Sequence, residues 1–210
     1  DFFATNDWSR GVYFTSLSDM KNILDIDKYL HQEGLAHRFM PVEAVSYYKD
    51  AGGVFVDGSY ELLMSDDIRW GNLNDPDVAV DPESRRSVLF VKQAYMRLAQ
   101  TLANSQRKEE AVAVLDKCLE FFPNDKIPYD IMMMSYPEIY YTCGATDKGD
   151  ALMNTMLENC KDNLRYYYEL DLPFLMYYSE NIYENLAILD KMKVIATKYK
   201  RNELRNQIAS

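Results

Sequence analysis

The chain contains no apolar run near the roughly 18 to 20 residues that a bilayer-spanning helix needs. No transmembrane segment is expected within it. Asp1-Phe2-Phe3 carries neither an initiator Met nor a signal-peptide pattern. The expectation is a piece of a longer chain whose small sheet is short of strands. Cysteine is scarce: Cys118, Cys143 and Cys160 are too few to staple a secreted scaffold and show no CxxC spacing. Buried, small, apolar side chains are the plain reading, with a Cys143 to Cys160 bridge as the alternative in an oxidising compartment. Only two histidines occur, His31 and His37, outside any HExxH, HxH or nucleophile-partner pattern. GxSxG, GxGxxG and Walker loops are missing too, which removes the main supports for hydrolase, dinucleotide and P-loop chemistry. No catalytic residue, metal ligand or cofactor is therefore assigned, and the fragment is not expected to be an enzyme. Basic charge is in deficit, with 23 Lys and Arg against 33 Asp and Glu. A net charge of −10 repels a phosphate backbone, so nucleic acid is not an expected partner.

What is present is enough apolar material for a core: 48% of 210 residues are hydrophobic, and such a chain needs neither metals nor disulfides to fold. The best-defined stretch runs from Ser87 to Pro123. Tyr95, Leu98, Ala99, Leu102, Ala111, Leu115 and Pro123 follow the tetratricopeptide spacing of an aromatic, a Leu and small residue, an Ala and a closing Pro. Asp81 is the expected N-cap and Pro82 the first residue of a helix ending near Asn104, with its partner helix over Arg107 to Phe121.

Ahead of this hairpin the pattern reads strand, helix, strand. Gly11 to Thr15 is β-prone; Ile23, Leu24, Ile26, Tyr29 and Leu30 recur at near-helical spacing up to a stop at Gly34; Leu35 to Val42 is a second strand. A crossover of this kind implies a parallel pair, with Val54-Phe55-Val56 adding a third short strand. Asp57-Gly58-Ser59 reads as a turn and cap before a short helix containing Tyr60 to Met64. Gly71 to Asp77 is dense in turn formers and marks the joint. The acids around it (Asp75, Asp77, Asp81) lack the EF-hand order, so turn and cap duty accounts for them better than calcium.

Beyond the hairpin, a helix from Pro128 to a stop at Gly144 contains Pro137, so it either kinks or splits. Lys148-Gly149-Asp150-Ala151 repeats Lys108-Glu109-Glu110-Ala111 at a longer spacing than the usual ~34 residues. A degraded third pair follows over Leu164 to Tyr178 and Asn181 to Tyr199, with Arg201 to Ser210 as a capping turn or tail. The fold class is thus α+β and mostly α. A small N-terminal β-α-β(β) unit (1–80) precedes a tetratricopeptide-like array of about three antiparallel helix pairs (81–210).

Seventeen tyrosines, including Tyr166 to Tyr168 and Tyr177-Tyr178, exceed what a core of this size requires. In helical-hairpin arrays the first helix of each pair lines a concave surface, which by spacing presents Gln93, Met96, Gln100, Met133, Tyr136 and Tyr140 to a protein or peptide partner. These rings filling gaps between imperfect repeats is the equal alternative. A second candidate site, for glycan, is Trp70, Asn72 and Asp75 in the irregular joint, where an aromatic platform would lie beside polar groups; Trp70 as a packing anchor is the competing explanation.

Four blocks carry a family resemblance: Asn6 to Phe14, Gly34 to Val42, Arg69-Trp70-Gly71-Asn72, and Leu115 to Pro123. Together they resemble the soluble C-terminal region of a domain-of-unknown-function family of bacterial multi-spanning membrane proteins similar to protein O-mannosyltransferases. The likeness spans Asn6 to Asn163 and departs from the family's pattern at Gly11 and Pro137. It implies a lipid-linked-sugar-dependent glycosyltransferase body N-terminal to the chain, with this region on the periplasmic face. Its implied role is non-catalytic: an interaction domain that docks a partner, an acceptor polypeptide or its own membrane-embedded body. Direct binding of glycan or acceptor is the alternative, and no catalytic residue is carried over.

Overall fold

The computed structural model describes residues 5–6, 10–15, 26–43 and 52–209. Among the described residues, four short strands form one sheet: β1 (Tyr13–Phe14), β2 (Leu30–Glu33), β3 (Ala36–Phe39) and β4 (Gly53–Val54), in the order β1-β3-β2-β4. β3 runs antiparallel to both β1 and β2, and only β2 and β4 are parallel. The expected parallel crossover is therefore corrected. Leu30 to Glu33 is a strand, because Leu30 and Gln32 alternate onto a fully covered face. Gly34, with φ of +64°, is the turn of the β2-β3 hairpin and not a helix stop. Between β1 and β2 helical structure is limited, among the described residues, to a 3₁₀ turn at Asp27–Tyr29; the predicted helical residues Ile23 and Leu24 lie outside the described residues.

Helix α1 (Val56–Met64) starts earlier than predicted, so Gly58 and Ser59 belong to it. Ser59 is fully buried. Its hydroxyl donates to the Gln32 carbonyl at 2.9 Å and accepts from the Gly34 amide at 3.2 Å, tying α1 to the hairpin. Turns then lead to α2 (Pro82–Asn104), with Asp81 as its N-cap accepting from the amides of Glu83 and Ser84 at 2.9 and 3.1 Å. Hydrogen bonds from Ser84 hold the Asp81 carboxyl below the usual carboxylate range. α3 (Lys108–Phe121) packs along α2, where Leu98, Ala99 and Leu102 meet Ala111, Val114, Leu115 and Cys118, all fully buried.

A 3₁₀ segment (Ile131–Met134) leads into α4 (Ser135–Cys143). Pro137 thus sits in the first α-helical turn, where the missing amide costs nothing. The predicted kink or split resolves as this change of helix type. α5 (Thr146–Tyr168) returns along α4, and their close approach is at Gly149: a Cβ there would lie 2.6 Å from the Tyr141 ring. Ala151, aligned by sequence with Ala111, is exposed. α6 (Leu172–Tyr177) is six residues long and buries none of them. α7 (Ser179–Lys198) packs instead on α5 and on the Ile131–Met134 segment, and α8 (Asn202–Ala209) on α7, burying Leu204 and Ile208. The C-terminal stretch is therefore a docked helix and not a frayed tail.

The sheet is joined to α2 by polar contacts. Gln32 Nε2 donates to the Ala94 carbonyl at 2.9 Å, and Arg97 Nη2 to those of Gly52 and Gly53 at 3.2 and 3.4 Å. Arg97 Nη1 lies 3.4 Å from His37 Nε2. Burial and then the Arg97 charge push the His37 pKa down to about 4.

Two stability outcomes follow from this geometry. The native state holds His37 neutral whereas the unfolded chain protonates it near pH 6.5. The histidine's contribution is therefore complete above pH 6.5 and falls away as pH drops toward 4. A His37→Gln variant should show a flatter melting-temperature profile across that window, and an unchanged slope would refute this origin. Second, α2, α4 and α7 end in the same doubly bonded turn with a positive φ, at Gln106 (+63°), Gly144 (+85°) and Lys200 (+57°). Gln106→Gly and Lys200→Gly should each raise stability by about 0.5–1 kcal/mol in denaturant melts, and Gly144→Ala should lower it by about 1–2 kcal/mol.

Candidate functional site: an exposed tyrosine tip

The predicted concave face is not open. Met133, Tyr136 and Tyr140 are each 1% exposed, and Met96 is buried as well. This corrects the expectation that they form a contact surface. The Tyr136 hydroxyl donates to the Lys92 carbonyl at 2.8 Å, and that of Tyr140 to Asp116 at 2.9 Å. Burial drives both phenol pKa values well up, so both remain neutral hydrogen-bond donors. Gln93 is exposed, while Gln100 is half-buried and donates to Asn104 at 3.1 Å. The reason is tertiary: the sheet, α1 and the Ile131–Met134 turn occupy the side of α2 and α4 that an extended array would leave free.

Trp70 packs among Tyr95, Phe121 and Phe122, with ring centroids at 6.4, 6.2 and 5.3 Å, and so anchors the joint. Its indole Nε1 is buried with no hydrogen-bond acceptor among the described residues. Asn72, with φ of +57°, accepts from the Asp75 amide, and Asp75 accepts from the Asp77 amide, both at 2.9 Å. The joint brings the three together in sequence, but the Trp70 ring is engaged in packing, and the Asp75 carboxylate and the Asn72 main-chain carbonyl are engaged in turns.

Reactive groups inside the helical body are likewise committed. Lys92 Nζ lies over the Tyr129 ring at 5.0 Å and 3.4 Å from the Ile127 carbonyl, and burial lowers its pKa. Cys118 Sγ is 3.2 Å from the Tyr136 hydroxyl, and burial pushes the thiol up to about 12, far from a nucleophilic thiolate. All three cysteines are unbridged, including Cys143 and Cys160. A polar cleft of about 340 Å³ between α5 and α8 includes Asp150, Asn154, Lys200 and Arg201. Its Asp150 carboxylate already accepts from Arg201 and from the Tyr141 hydroxyl.

The surface left without partners lies at the far end of α5, α6 and the start of α7. α5 ends at Tyr168 with Glu169 as its C-cap, and Asp171 and Pro173 start α6 almost at once. This tight turn brings together tyrosines from α5, from α6 and from the α6-α7 junction at Tyr178. Tyr167 and Tyr178 stack at 5.4 Å and 30°, Tyr166 meets Tyr167 edge-on at 5.6 Å, and Tyr177 meets Tyr178 edge-on at 5.0 Å. Burial, with smaller contributions from neighbouring rings and Glu184, raises the Tyr167 pKa. Around them Tyr168, Tyr177, Leu172, Met176 and Tyr183 are 70% to 85% exposed. Elsewhere Phe90 and Val194 stand out singly. Among the described residues the most exposed apolar side chains gather at the tip, with a less exposed group, Leu35, Phe55 and Leu62, around the β2-β3 hairpin and α1, and clusters of this kind mark interaction surfaces. The signal was present in the tyrosine runs at 166–168 and 177–178, but helical spacing alone assigned them no face.

Residues 1–57 match the family model described as TMEM260-associated domain 2, a domain family linked to a membrane protein. The match ends in the first turn of α1, so α2 to α8 lie outside it. No curated protein and no solved structure matches the chain. No helix among the described residues is long and apolar enough to cross a membrane.

The two tyrosine environments should respond oppositely to truncation. Tyr136→Ala empties a filled, hydrogen-bonded site and should cost about 3–5 kcal/mol, whereas Tyr177→Ala should stay within about 0.5 kcal/mol of wild type. Urea melts of the two variants check this, and equal losses would overturn the assignment.

Proposed function

We propose that the chain is a non-catalytic interaction domain of a membrane glycosyltransferase-like protein. It acts on the periplasmic face, where it docks a partner or acceptor polypeptide. The observation that carries the docking role is the tyrosine tip of α5, α6 and α7, with Tyr168 85% and Tyr177 78% exposed on a well-packed helical body. Tyr and Met offer large contact area that adapts to a partner at low entropic cost. The membrane setting is supported by the match of residues 1–57 to TMEM260-associated domain 2, and the transferase setting by the sequence blocks that resemble O-mannosyltransferase-like proteins. The committed state of Lys92, Cys118 and the tyrosine hydroxyls favours binding over chemistry in this region.

A photo-reactive amino acid placed at position 177 of the intact membrane protein, with a control at the exposed Asn206, tests the reading. The expected result is a covalent polypeptide adduct from position 177 that disappears when Tyr168 and Met176 are changed to Ser. Adducts to lipid alone, or none, would sink it.

A further inference from the structure

The tip differs from an ordinary apolar patch in what surrounds it. Between positions 162 and 187 the chain carries five acids (Asp162, Glu169, Asp171, Glu180 and Glu184) and a single base, Arg165. That base is already paired with Asp162 at 3.0 Å. Glu169 and Asp171 border Tyr168 and Leu172 in the chain and are exposed, and Glu180 and Glu184 lie on the adjoining turns of α7, also exposed. Elsewhere the protein places its own cations over tyrosine rings, with Lys92 over Tyr129 at 5.0 Å and Lys198 over Tyr199 at 5.1 Å. Among the described residues, no Lys or Arg lies over any ring of the tip.

We infer that the occupant of the tip is a basic peptide segment with one apolar face, its Lys or Arg side chains set over the tyrosine rings and against the acidic rim. This rests on the docking role proposed above and adds the chemistry of the partner. Two attractions act together. Apolar side chains of the guest cover Leu172, Met176 and the ring edges, while a cation over a tyrosine face beside carboxylates is favoured by the ring quadrupole and by charge. The same charges disfavour the other occupants. A second copy would bring two acidic rims face to face, and an anionic lipid surface would be repelled by the rim and by the net charge of −10.

The test is a titration of the chain with three amphipathic peptides of one length and pattern: Leu with Lys, Leu with Gln and Leu with Glu. Phosphatidylcholine vesicles with and without phosphatidylserine are run in parallel, and sedimentation equilibrium reports self-association. The Lys peptide should bind about tenfold tighter than the Gln peptide, and the Glu peptide should not bind. Raising salt from about 0.05 to about 0.5 M should remove most of that preference. Replacing Glu169, Glu180 and Glu184 together by Gln should erase the difference between the Lys and Gln peptides, and Tyr168→Ala with Tyr177→Ala should abolish binding of both.

If the Gln peptide binds as tightly as the Lys peptide and the tyrosine variant loses both, the charge inference falls while the docking role stands. Failure of the Lys peptide to bind, vesicle binding that depends on the tip, or a dimer through it overturns the inference. Failure of the docking role is read separately, from the crosslink at position 177. The wild-type peptide series needs no variant to fold, so it decides the charge question even if a substitution proves damaging.

Discussion

The structure depends on the middle of α2. From Ala94 to Ala99 every residue is buried, so this helix has no solvated side over those six residues, and Lys92, Leu102 and Ala103 beyond them are buried too. Such a helix survives only if the polar groups around it are satisfied. Here hydrogen bonds to the sheet, α1 and α4 satisfy many of them, although the indole Nε1 of Trp70 beside Tyr95 has no acceptor among the described residues. Gln32 of the sheet reaches the Ala94 carbonyl, Tyr136 of α4 reaches that of Lys92, and Tyr95 of α2 donates to the Leu63 carbonyl of α1 at 2.8 Å. Arg97 extends the pattern to Gly52 and Gly53. The sheet, α1, α3 and α4 are therefore oriented by a common axis, and the strands, too short to be stable alone, gain their support from it.

That arrangement leaves the most exposed apolar surface at one end of the helices instead of at their centre. In an extended helical array the inner helices line an open surface, but here the N-terminal unit and the Ile131–Met134 turn cover it. The buried tyrosines Tyr95, Tyr136 and Tyr140 become hydrogen-bonded core, with phenol pKa values raised by burial. The tyrosines that remain available are those that no later helix covers. α6 is too short and too exposed to cover the ends of its neighbouring helices, so the tyrosines around α6, on a surface with an acidic border, stay on the outside.

Local signals were legible wherever a residue type has one strong backbone use. Asp81 with Pro82 marked the start of α2, Gly144 the end of α4, and the spacing of Tyr95 to Leu115 the first hairpin. Pairing was less legible. Gly34 serves a helix stop and a hairpin turn equally well, and Leu30 to Glu33 is too short for periodicity to separate strand from helix. The repeat of Lys108 to Ala111 at Lys148 to Ala151 does not extend to packing: Gly149 is the close-contact position between α4 and α5, while Ala151 faces solvent. The docking candidates failed for a related reason. Helical spacing assigns residues to a face, but it does not say what will be packed on that face.

The sequence alone determined a mostly helical α+β protein without a membrane-spanning helix, its first helix pair almost to the residue, and an excess of tyrosine with negative charge. These follow from local constraints: caps, prolines, periodicity and composition act within a turn or two of chain. Only the tertiary structure decided which tyrosines are core and which are surface, that the sheet is mainly antiparallel, and that Trp70 is an anchor. Those outcomes depend on which elements compete for the same face of α2, and that competition is settled by long-range packing and by the cost of leaving buried polar groups without partners.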